Sequence, residues 1–265
     1  DHLVHLGARA MGGAGLVMVE MTAPSADGRI THGCPGLWND EQTEDFKRIT
    51  NWVHAKSDAK IGLQIGHAGP KGSSCRPWQG AGMDQPVPAD DAEGNWPLLA
   101  ASAQPYLPHG DVPRAMSRAD MDRITAQFVA STQRAAQAGF DWLELHCAHG
   151  YLLSSFLTPV SNKRTDEYGG SLENRLRFPL EVFEPAADVV PDDQWQFDVE
   201  GCCARRKVEP LARALSGRSG WITGIRRVDG PTRADTPIVQ FDAARDITKI
   251  NPLAAWSDER LEQYI

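Results

Sequence analysis

One short stretch decides how this chain folds, because an apolar run in it stops abruptly at two histidines and a tyrosine. It reads Asp141-Trp142-Leu143-Glu144-Leu145-His146-Cys147-Ala148-His149-Gly150-Tyr151. The apolar residues are typical of a buried strand, and a helix-like pattern precedes them. The histidines and the tyrosine follow the carboxyl end of that strand, where α/β folds bind ligands. We therefore expect the chemistry of this protein at this junction.

The two imidazoles and the phenol could donate hydrogen bonds to one oxygen that becomes negative during a reaction. His146, His149 and Tyr151 would then form an oxyanion-type site. Two other interpretations stay open. The three side chains could be satisfied structural groups, or His146, Cys147 and His149 could bind zinc, although no second ligand pair stands at a zinc-like spacing.

Earlier parts of the chain repeat the same order of helix, apolar run and polar ending. Helical spacing over residues 2–11 precedes a predicted strand at 16–20, and a predicted helix at 40–55 precedes a strand at 61–65. A third helix is predicted from an N-cap at Ser117 to the stop at Gly139. The steps predict an α/β fold, either part of a (β/α)8 barrel or a doubly wound sheet.

The composition of the first apolar run favours a parallel sheet. Leu16 to Val19 lacks polar alternation, which predicts a strand covered by helices on both faces. Glu20, Gln64 and His146 should then meet at one carboxyl edge. The segment from Pro70 to Pro113 has no sustained period and is predicted to be a long surface loop that forms a lid or a substrate wall.

Composition excludes several classes of protein. The chain has 265 residues, 41% of them hydrophobic, and a net charge of −8, without the basic stripe that nucleic-acid binding needs. No apolar run approaches the roughly 20 residues of a membrane span. Five cysteines make no disulfide framework, which predicts a soluble protein of the reducing cytoplasm. The start at Asp1 is interpreted as a missing true N-terminus.

Three co-linear motifs carry a specific resemblance. They are Gln64-Ile-Gly-His67-Ala-Gly, His146-Cys-Ala-His149-Gly-Tyr151-Leu-Leu and Asn162-Lys-Arg164-Thr-Asp-Glu-Tyr168-Gly-Gly-Ser-Leu-Glu-Asn-Arg175-Leu-Arg-Phe. Together they make residues 1–193 similar to the Old Yellow Enzyme family. The strongest likeness is to the member fused behind a flavin monooxygenase in bifunctional salicylyl-CoA hydroxylases.

The resemblance implies an FMN-dependent (β/α)8 TIM barrel that reduces activated carbon–carbon double bonds with NAD(P)H. By this resemblance Gln64 binds the flavin ring. His146 and His149 hold the substrate carbonyl oxygen, and Tyr151 protonates the α-carbon. The chemistry of the residues agrees, since an enolate needs donors for its oxygen and an acid for its carbon.

The chain also departs from the family pattern. Pro70 stands where the family has an arginine, and the first barrel strand would lie before Asp1. An eight-stranded barrel needs about 250 residues, so residues 1–193 are expected to form only its N-terminal half, without the late loops that bind the FMN phosphate. We therefore expect that FMN binds weakly or not at all and that exposed strand edges make the chain prone to association.

The last part of the chain contains four further motifs: Cys202-Cys203-Ala-Arg-Arg-Lys-Val-Glu-Pro-Leu-Ala-Arg-Ala-Leu, Trp221-Ile-Thr-Gly-Ile-Arg-Arg, Pro231-Thr-Arg-Ala and Lys249-Ile-Asn-Pro-Leu-Ala-Ala-Trp. Through them, residues from about 196 to 265 resemble another family, that of the adenylyl-sulfate and phosphoadenylyl-sulfate reductases. This resemblance implies a fragment of an α/β adenine-nucleotide-hydrolase-like domain. Arg226, Arg227 and Arg233 would lie near an anionic sulfonucleotide, while Cys202 and Cys203 would be two of the four ligands of a [4Fe-4S] cluster. With half of the ligand set, a cluster is not expected. The residues by themselves favour inert cysteines and a solvated arginine face.

The sequence thus predicts a chimeric chain with domains at 1–193 and 194–265. FMN-dependent reduction of activated C=C bonds in enones or related thioesters is the predicted function, with a small-molecule substrate and no nucleic-acid or membrane partner. Two alternatives remain: a sulfonucleotide reductase of sulfate assimilation, and a non-catalytic remnant. Both catalytic units are expected to be truncated.

Overall fold

A computed structural model describes residues 1–79, 85–108, 110–189, 217, 219–229, 233–243, 246–257 and 259–260. The chain divides into two compact units, Asp1–Pro191 and Asp192–Ile265. Cys202 and Cys203 lie outside the described residues.

The front unit alternates helices and strands in the predicted order. Its elements are α1 (His2–Met11), β1 (Leu16–Thr22), α2 (Asp40–Lys56), β2 (Lys60–Ile65), β3 (Leu99–Ala100), β4 (Arg114–Ala115), α3 (Arg118–Gln137), β5 (Trp142–Leu145), α4 (Leu152–Leu157) and α5 (Leu172–Asp188). The three predicted helix-to-strand steps are confirmed.

The main sheet is parallel, in the order β1-β2-β5. Leu63 of β2 pairs with Val19 on one side and with Leu143 on the other. The backbone N–H of His146 donates to the carbonyl of Ile65 at 2.8 Å, which continues the ladder one residue beyond β5. The prediction that polar residues of successive strands share a carboxyl edge is therefore confirmed.

Helices cover one face of this sheet. Val17, Val19, Ile61, Leu63 and Ile65 are buried there in a core that the helices complete. Buried side chains of α2 and α3 on that core include Phe46, Ile49, Val53, Ile124 and Phe128.

The opposite face of the sheet is not buried, although the sequence predicted that helices cover both faces. Leu16 is 46% exposed, Glu20 and Glu144 are exposed, and Met18 and Gln64 are half-buried. Helix α1 reaches this face at one point, where His2 Nε2 lies 2.7 Å from Glu20 Oε1, but does not bury these five residues. In a barrel this face turns inward, so an apolar run on it does not require a second helical layer. The prediction of double coverage was wrong for this reason.

A single carboxylate fixes the start of β5 against β2. Asp141 accepts hydrogen bonds from the backbone N–H of Ile61 at 2.9 Å and from Lys60 Nζ at 2.9 Å. It also lies 2.7 Å from His54 Nε2, at the end of α2. The first residue of the deciding stretch therefore sets the register that brings His146 to the sheet edge.

Sequence periodicity did not predict α4 and α5. The longer helix contains Pro179 and Pro185, which interrupt a helical pattern. It forms because tertiary packing compensates: Phe178 is fully buried, and its ring lies 4.6 Å from that of Phe156 in α4. The long loop also contains one short parallel pair, β3 with β4.

The described part of the back unit is a small mixed sheet. It consists of β6 (Gly220–Ile222), β7 (Val239–Asp242) and β8 (Ile247–Ile250), in the order β6-β8-β7. Asn251, fully buried, anchors it by contacting Thr223 Oγ1 at 2.5 Å and donating to the Pro237 carbonyl at 2.7 Å. None of the described helices of either unit has the length and apolar character of a membrane span.

Candidate active site

The two histidines and the tyrosine of the deciding stretch come together just beyond β5. The ring centroids of His146 and Tyr151 are 4.7 Å apart, and those of His146 and His149 are 4.8 Å apart. His149 and Tyr151 lie edge to face at 5.9 Å. His146 is buried, Tyr151 is half-buried and His149 is exposed. The three rings thus form one cluster whose outer member reaches solvent.

Hydrogen bonds define the tautomers of the two imidazoles. The backbone N–H of Ala148 donates to His146 Nδ1 at 3.1 Å, so in neutral His146 the proton is on Nε2. That Nε2 lies 3.0 Å from His149 Nδ1 and donates to it. His149 then carries its own proton on Nε2. The two imidazoles thus form a hydrogen-bonded chain, and its last donor is the Nε2–H group of His149.

The pKa of His146 is lowered by burial first and by the neighbouring charge of His149 second. A lowered pKa keeps this imidazole neutral at pH 7. Neutral His146 preserves the donor and acceptor roles just described, because a protonated ring could not accept from the Ala148 N–H.

Two successive left-handed residues turn the chain back over the strand end. His149 has φ 58° and Gly150 has φ 74°. For glycine this conformation is easy, but for histidine it is uncommon and costs about 1 kcal/mol or more. The turn brings the His149 ring onto His146 and starts α4 directly after Tyr151. Strain of this kind is typical of functional sites.

The loop after β2 braces this turn. The His67 carbonyl accepts from the Leu152 N–H at 3.0 Å. Gly69 has φ +60°, and a Cβ there would lie 2.7 Å from both the Cα and the N of Leu152. Only glycine permits this approach. The glycine of the first motif therefore fixes the position of Tyr151, the preceding residue.

His67 itself is enclosed rather than presented. It is 2% exposed, its Nδ1 accepts from the Gly69 N–H at 3.1 Å, and its Nε2 has no partner among the described residues. Burial lowers the pKa of His67 to about 4, with Asp27 opposing and Arg123 reinforcing the shift. His67 is a neutral structural residue, although it lies at the same sheet edge as His146.

Gln64 lies on the inner face of β2, near the strand end, and is half-buried. Its Nε2 donates to Glu144 Oε1 at 2.7 Å, and the two residues are register partners across β2 and β5. The bond orients the amide, so that the side-chain oxygen of Gln64 can accept a hydrogen bond from an N–H group of a bound ligand. Sequence reasoning had missed Glu144 as the residue that orients Gln64.

Lys71 and Tyr106 were also missed. Lys71 Nζ lies 4.0 Å from the Tyr106 ring centroid and 5.8 Å from that of Tyr151. A cation at this distance from a ring centroid is attracted to the face of the aromatic ring. The long loop that supplies Tyr106 thus borders the ring cluster, and its role as a lid or a substrate wall stays a prediction.

The third motif is structural. Asn162 Nδ2 donates to the carbonyls of Phe156 and Tyr168, both at 2.8 Å. Arg164 Nη1 donates to the carbonyls of Ala101 and Met116. These bonds tie the segment after α4 to β3 and to the start of α3, and so hold the turn that carries Tyr151.

A zinc site at the deciding stretch finds no support. Both nitrogens of His146 have hydrogen-bond partners, and among the described residues the only group of three or more His, Cys, Asp or Glu side chains with ligand atoms close enough to share an ion is His32, Asp91 and Glu93. His32 Nε2 there lies 2.7 Å from the Gly94 carbonyl, and Glu93 pairs with Arg76 through both oxygens.

Two of the three predicted arginines of the back unit meet at one turn. Arg227 Nε donates to the Thr236 carbonyl at 2.9 Å, and the Thr236 N–H donates to the Arg233 carbonyl at 2.9 Å. Arg226 adjoins them in sequence and also has a contact of its own. Arg227 therefore has a structural bond in its own turn, and binding of a sulfonucleotide by these arginines stays a prediction.

Comparison with known proteins identifies the front unit. The family model for the NADH:flavin oxidoreductase / NADH oxidase family matches residues 1–199. The chain belongs to this family. A second model, for the phosphoadenosine phosphosulfate reductase domain, matches residues 157–265. Both resemblances expected from the sequence are confirmed, and membership assigns FMN and NAD(P)H as the cofactors.

Curated relatives agree with this membership. An NADH:flavin oxidoreductase of Gibberella zeae is 46% identical over 194 residues, which cover 72% of this chain and 46% of the relative. An NADPH dehydrogenase of Bacillus cytotoxicus is 42% identical over 188 residues, which cover 71% of this chain and 48% of that protein. The chain spans about half the length of the curated relatives it matches.

Solved structures place the front unit among the Old Yellow Enzyme barrels. Morphinone reductase superposes with a TM-score of 0.59 at 33% identity, over 72% of this chain and 50% of that one. An Old Yellow Enzyme from Pichia sp. AKU4542 superposes with a TM-score of 0.60 at 30% identity, over 71% and 47%. The predicted partial (β/α)8 fold is confirmed.

Proposed function

We propose that this protein takes part in FMN-dependent reduction of activated carbon–carbon double bonds at the cluster of His146, His149 and Tyr151. The observation that carries the proposal is the convergence of these rings beyond β5, with centroids 4.7 to 5.9 Å apart. Family membership supports it. The substrate would be a small molecule with a C=C bond conjugated to a carbonyl group.

The residues present fit the ring edge of FMN. Gln64 lies half-buried at the same sheet edge as His146, and its bond to Glu144 leaves an amide oxygen able to accept from a flavin ring N–H. When bound, FMN reduced by NAD(P)H supplies a hydride to the β-carbon of the substrate. The remaining steps belong to side chains of this chain.

His149 holds the carbonyl oxygen of the substrate. Its Nε2–H donates to that oxygen, while His146 fixes the tautomer by donating to His149 Nδ1. As hydride reaches the β-carbon, the π electrons of the C=C bond move toward the oxygen, and the developing enolate charge strengthens this bond. His146 is thus a positioning residue in this arrangement, and His149 is the direct donor.

Tyr151 completes the reaction as the acid. Its O–H bond breaks, a new C–H bond forms at the α-carbon, and the enolate electrons return to restore the carbonyl group. The resulting phenolate regains a proton from water. Lys71, 5.8 Å from the ring, stabilises that phenolate in the interval.

The direct experiment supplies FMN, NADPH and 2-cyclohexenone to the purified chain and follows cyclohexanone by chromatography. FMN is added in large excess, because weak binding is expected. The proposal predicts ketone formation that depends on FMN and falls about 100-fold or more in His149→Ala. Ketone formation that is unchanged by this substitution would refute the site.

The second candidate function is binding of a sulfonucleotide by the back unit. The match of residues 157–265 to the phosphoadenosine phosphosulfate reductase domain favours it. Adenylyl sulfate binding measured by calorimetry, compared between the chain and Arg226→Ala, tests it. Tighter binding of adenylyl sulfate than of FMN would favour sulfate assimilation as the function of the chain.

We infer further that the chain is a chimera of the two families and that it works in the cytoplasm. The two family matches, which overlap only at residues 157–199, support the first inference. The second is supported by the described cysteines, since Cys34, Cys75 and Cys147 are all free thiols. Thiol titration of protein purified from the native host under non-reducing conditions tests the location.

A further inference from the structure

Tyr106 is an exposed aromatic residue beside the ring cluster, and the proposed reaction assigns it no role. It lies on the long loop between β2 and α3 and is 46% exposed. A Cβ on Gly150 would lie 3.9 Å from Tyr106 Cε2, so the phenol ring is in van der Waals range of the turn that carries His149 and Tyr151. An exposed aromatic ring at this place offers apolar contact area to a bound substrate.

Lys71 ties this ring to the proposed acid. Its Nζ lies 4.0 Å from the ring centroid of Tyr106 and 5.8 Å from that of Tyr151. An ammonium group at such distances is attracted to the faces of both rings. The cation occupies one face of Tyr106, and the exposed remainder of the ring is accessible to another group.

The backbone shortly before Tyr106 is anchored to the core. Ala101 is fully buried, its N–H donates to Ser155 Oγ at 3.1 Å, and its carbonyl accepts from Arg164 Nη1 at 3.1 Å. These bonds join the loop to α4, which begins directly after Tyr151. A tyrosine has only two side-chain torsions, so a ring held in this way provides contact area at a low entropic cost.

The place of the ring selects one part of the substrate. In the proposed reaction His149 holds the carbonyl oxygen and Tyr151 protonates the α-carbon, which is bonded to the carbonyl carbon. Gly150 lies between these two residues, and Tyr106 contacts the turn at Gly150. The part of the substrate nearest to Tyr106 is therefore the substituent on the α-carbon.

We propose that Tyr106 is a specificity-determining residue that favours substrates with a flat apolar group, such as a phenyl ring, on the α-carbon. The proposal rests on the proposed function, because it uses the positions assigned there to the carbonyl oxygen and the α-carbon. Contact between the two rings and the removal of apolar surface from water supply the preference.

A matched pair of substrates tests this preference. With FMN in excess and NADPH as reductant, kcat/KM is measured for 2-phenyl-2-cyclohexenone and divided by that for 2-cyclohexenone. Tyr106→Ala should lower this ratio about 10-fold, mainly through a higher KM for the phenyl substrate, because the lost contact is the same in the ground state and the transition state. Tyr106→Phe should keep the ratio within about 2-fold, since the ring makes the contact.

Trp78→Ala is the matched control. Trp78 is a second exposed aromatic residue of the same loop, at 75% exposure, but it lies next to Gly33 instead of Gly150. This substitution should leave the ratio unchanged. Circular dichroism verifies that each variant is folded. An unchanged ratio in folded Tyr106→Ala, or an equal decrease in Trp78→Ala, would overturn the assignment.

Binding without turnover separates this proposal from the proposed function. The saturated ketones 2-phenylcyclohexanone and cyclohexanone are titrated into the chain supplied with FMN, and binding is followed by NMR. The phenyl ketone should bind about 10-fold more tightly than cyclohexanone, and Tyr106→Ala should abolish this difference. If the difference is present but neither enone is reduced, the proposed function fails while the contact with Tyr106 holds. Absence of the difference would overturn the role of Tyr106 whether or not 2-cyclohexenone is reduced.

Discussion

The loops after β2 and β5 leave neighbouring strands at the same edge, and each carries a histidine close to the strand end. His67 in the first loop is 2% exposed and has a pKa of about 4. His146 in the second is buried too, but it donates to His149, which is exposed. A position at the carboxyl edge of the sheet is therefore not enough to give a histidine a role in the proposed reaction. His146 is hydrogen-bonded to a solvent-exposed residue, whereas the hydrogen bond of His67 is buried.

The two loops also depend on each other. The first loop contributes the Gly69 backbone and the His67 carbonyl, and both contact Leu152 directly after Tyr151. The second contributes the side chains of the proposed chemistry. One loop is thus a support and the other carries the reacting groups, which gives their mutations different signatures.

Gly69→Ala should have the largest effect, because it breaks the contact between the loops. The new Cβ would lie 2.7 Å from Leu152 backbone atoms at φ +60°. Overpacking and strain together should lower the free energy of unfolding by about 3 to 5 kcal/mol. Urea unfolding measures the loss.

Gly94→Ala is the matched control. Gly94 has φ +75° but nothing within 4 Å of its Cβ position, so only backbone strain of about 1 kcal/mol is expected. Equal losses in the two variants would mean that the close approach to Leu152 contributes nothing.

His67 should make stability depend on pH. Its folded pKa of about 4 lies below the model-peptide value of 6.5, so between these values the unfolded chain binds more protons. Its contribution is therefore complete above about pH 6.5 and is lost as the pH falls. Between pH 7 and pH 4 the loss should be about 3 kcal/mol.

The comparison variant is His67→Gln, which keeps an acceptor for the Gly69 N–H but does not titrate. Between pH 7 and pH 4 the free energy of unfolding of this variant should fall by about 3 kcal/mol less than that of the unsubstituted protein. Parallel pH profiles for the two proteins would show that His67 is already accessible to protons in the folded state.

Substitutions of His149 test the left-handed turn in the second loop. Asparagine tolerates the left-handed φ of 58° and keeps a donor, whereas valine does neither. His149→Val should therefore be less stable than His149→Asn by about 1 to 2 kcal/mol. Thermal unfolding of both proteins checks this. Equal stability would mean that the left-handed conformation of residue 149 causes no backbone strain.

Much of this fold followed from the sequence. Apolar spacing located α1, α2, α3 and the three parallel strands, because each buries one regular face. It missed α5, where Pro179 and Pro185 interrupt the pattern and packing of Phe178 on Phe156 compensates. Local periodicity contains no information about such contacts.

The site was predictable as a set of residues but not as a network. The spacing of His146, His149 and Tyr151 indicated their convergence. The hydrogen-bonded chain of the two imidazoles depends on the left-handed turn at His149, and the role of Glu144 depends on the β2–β5 register. The lowered pKa of His67 depends on its burial and on the charges of Asp27 and Arg123, which are distant in sequence. Each of these features arises only when the chain has folded.

In the proposed reaction the second loop supplies the acid, Tyr151, and the Tyr151→Phe substitution tests this assignment directly. With FMN in excess, reduction of the flavin by NADPH and its reoxidation by 2-cyclohexenone are followed separately by stopped-flow absorbance. We predict that flavin reduction in the variant stays within about 2-fold of the unsubstituted protein, while reoxidation by the enone slows about 100-fold. Equal slowing of both half-reactions, or no slowing of the second, would contradict the assignment of Tyr151.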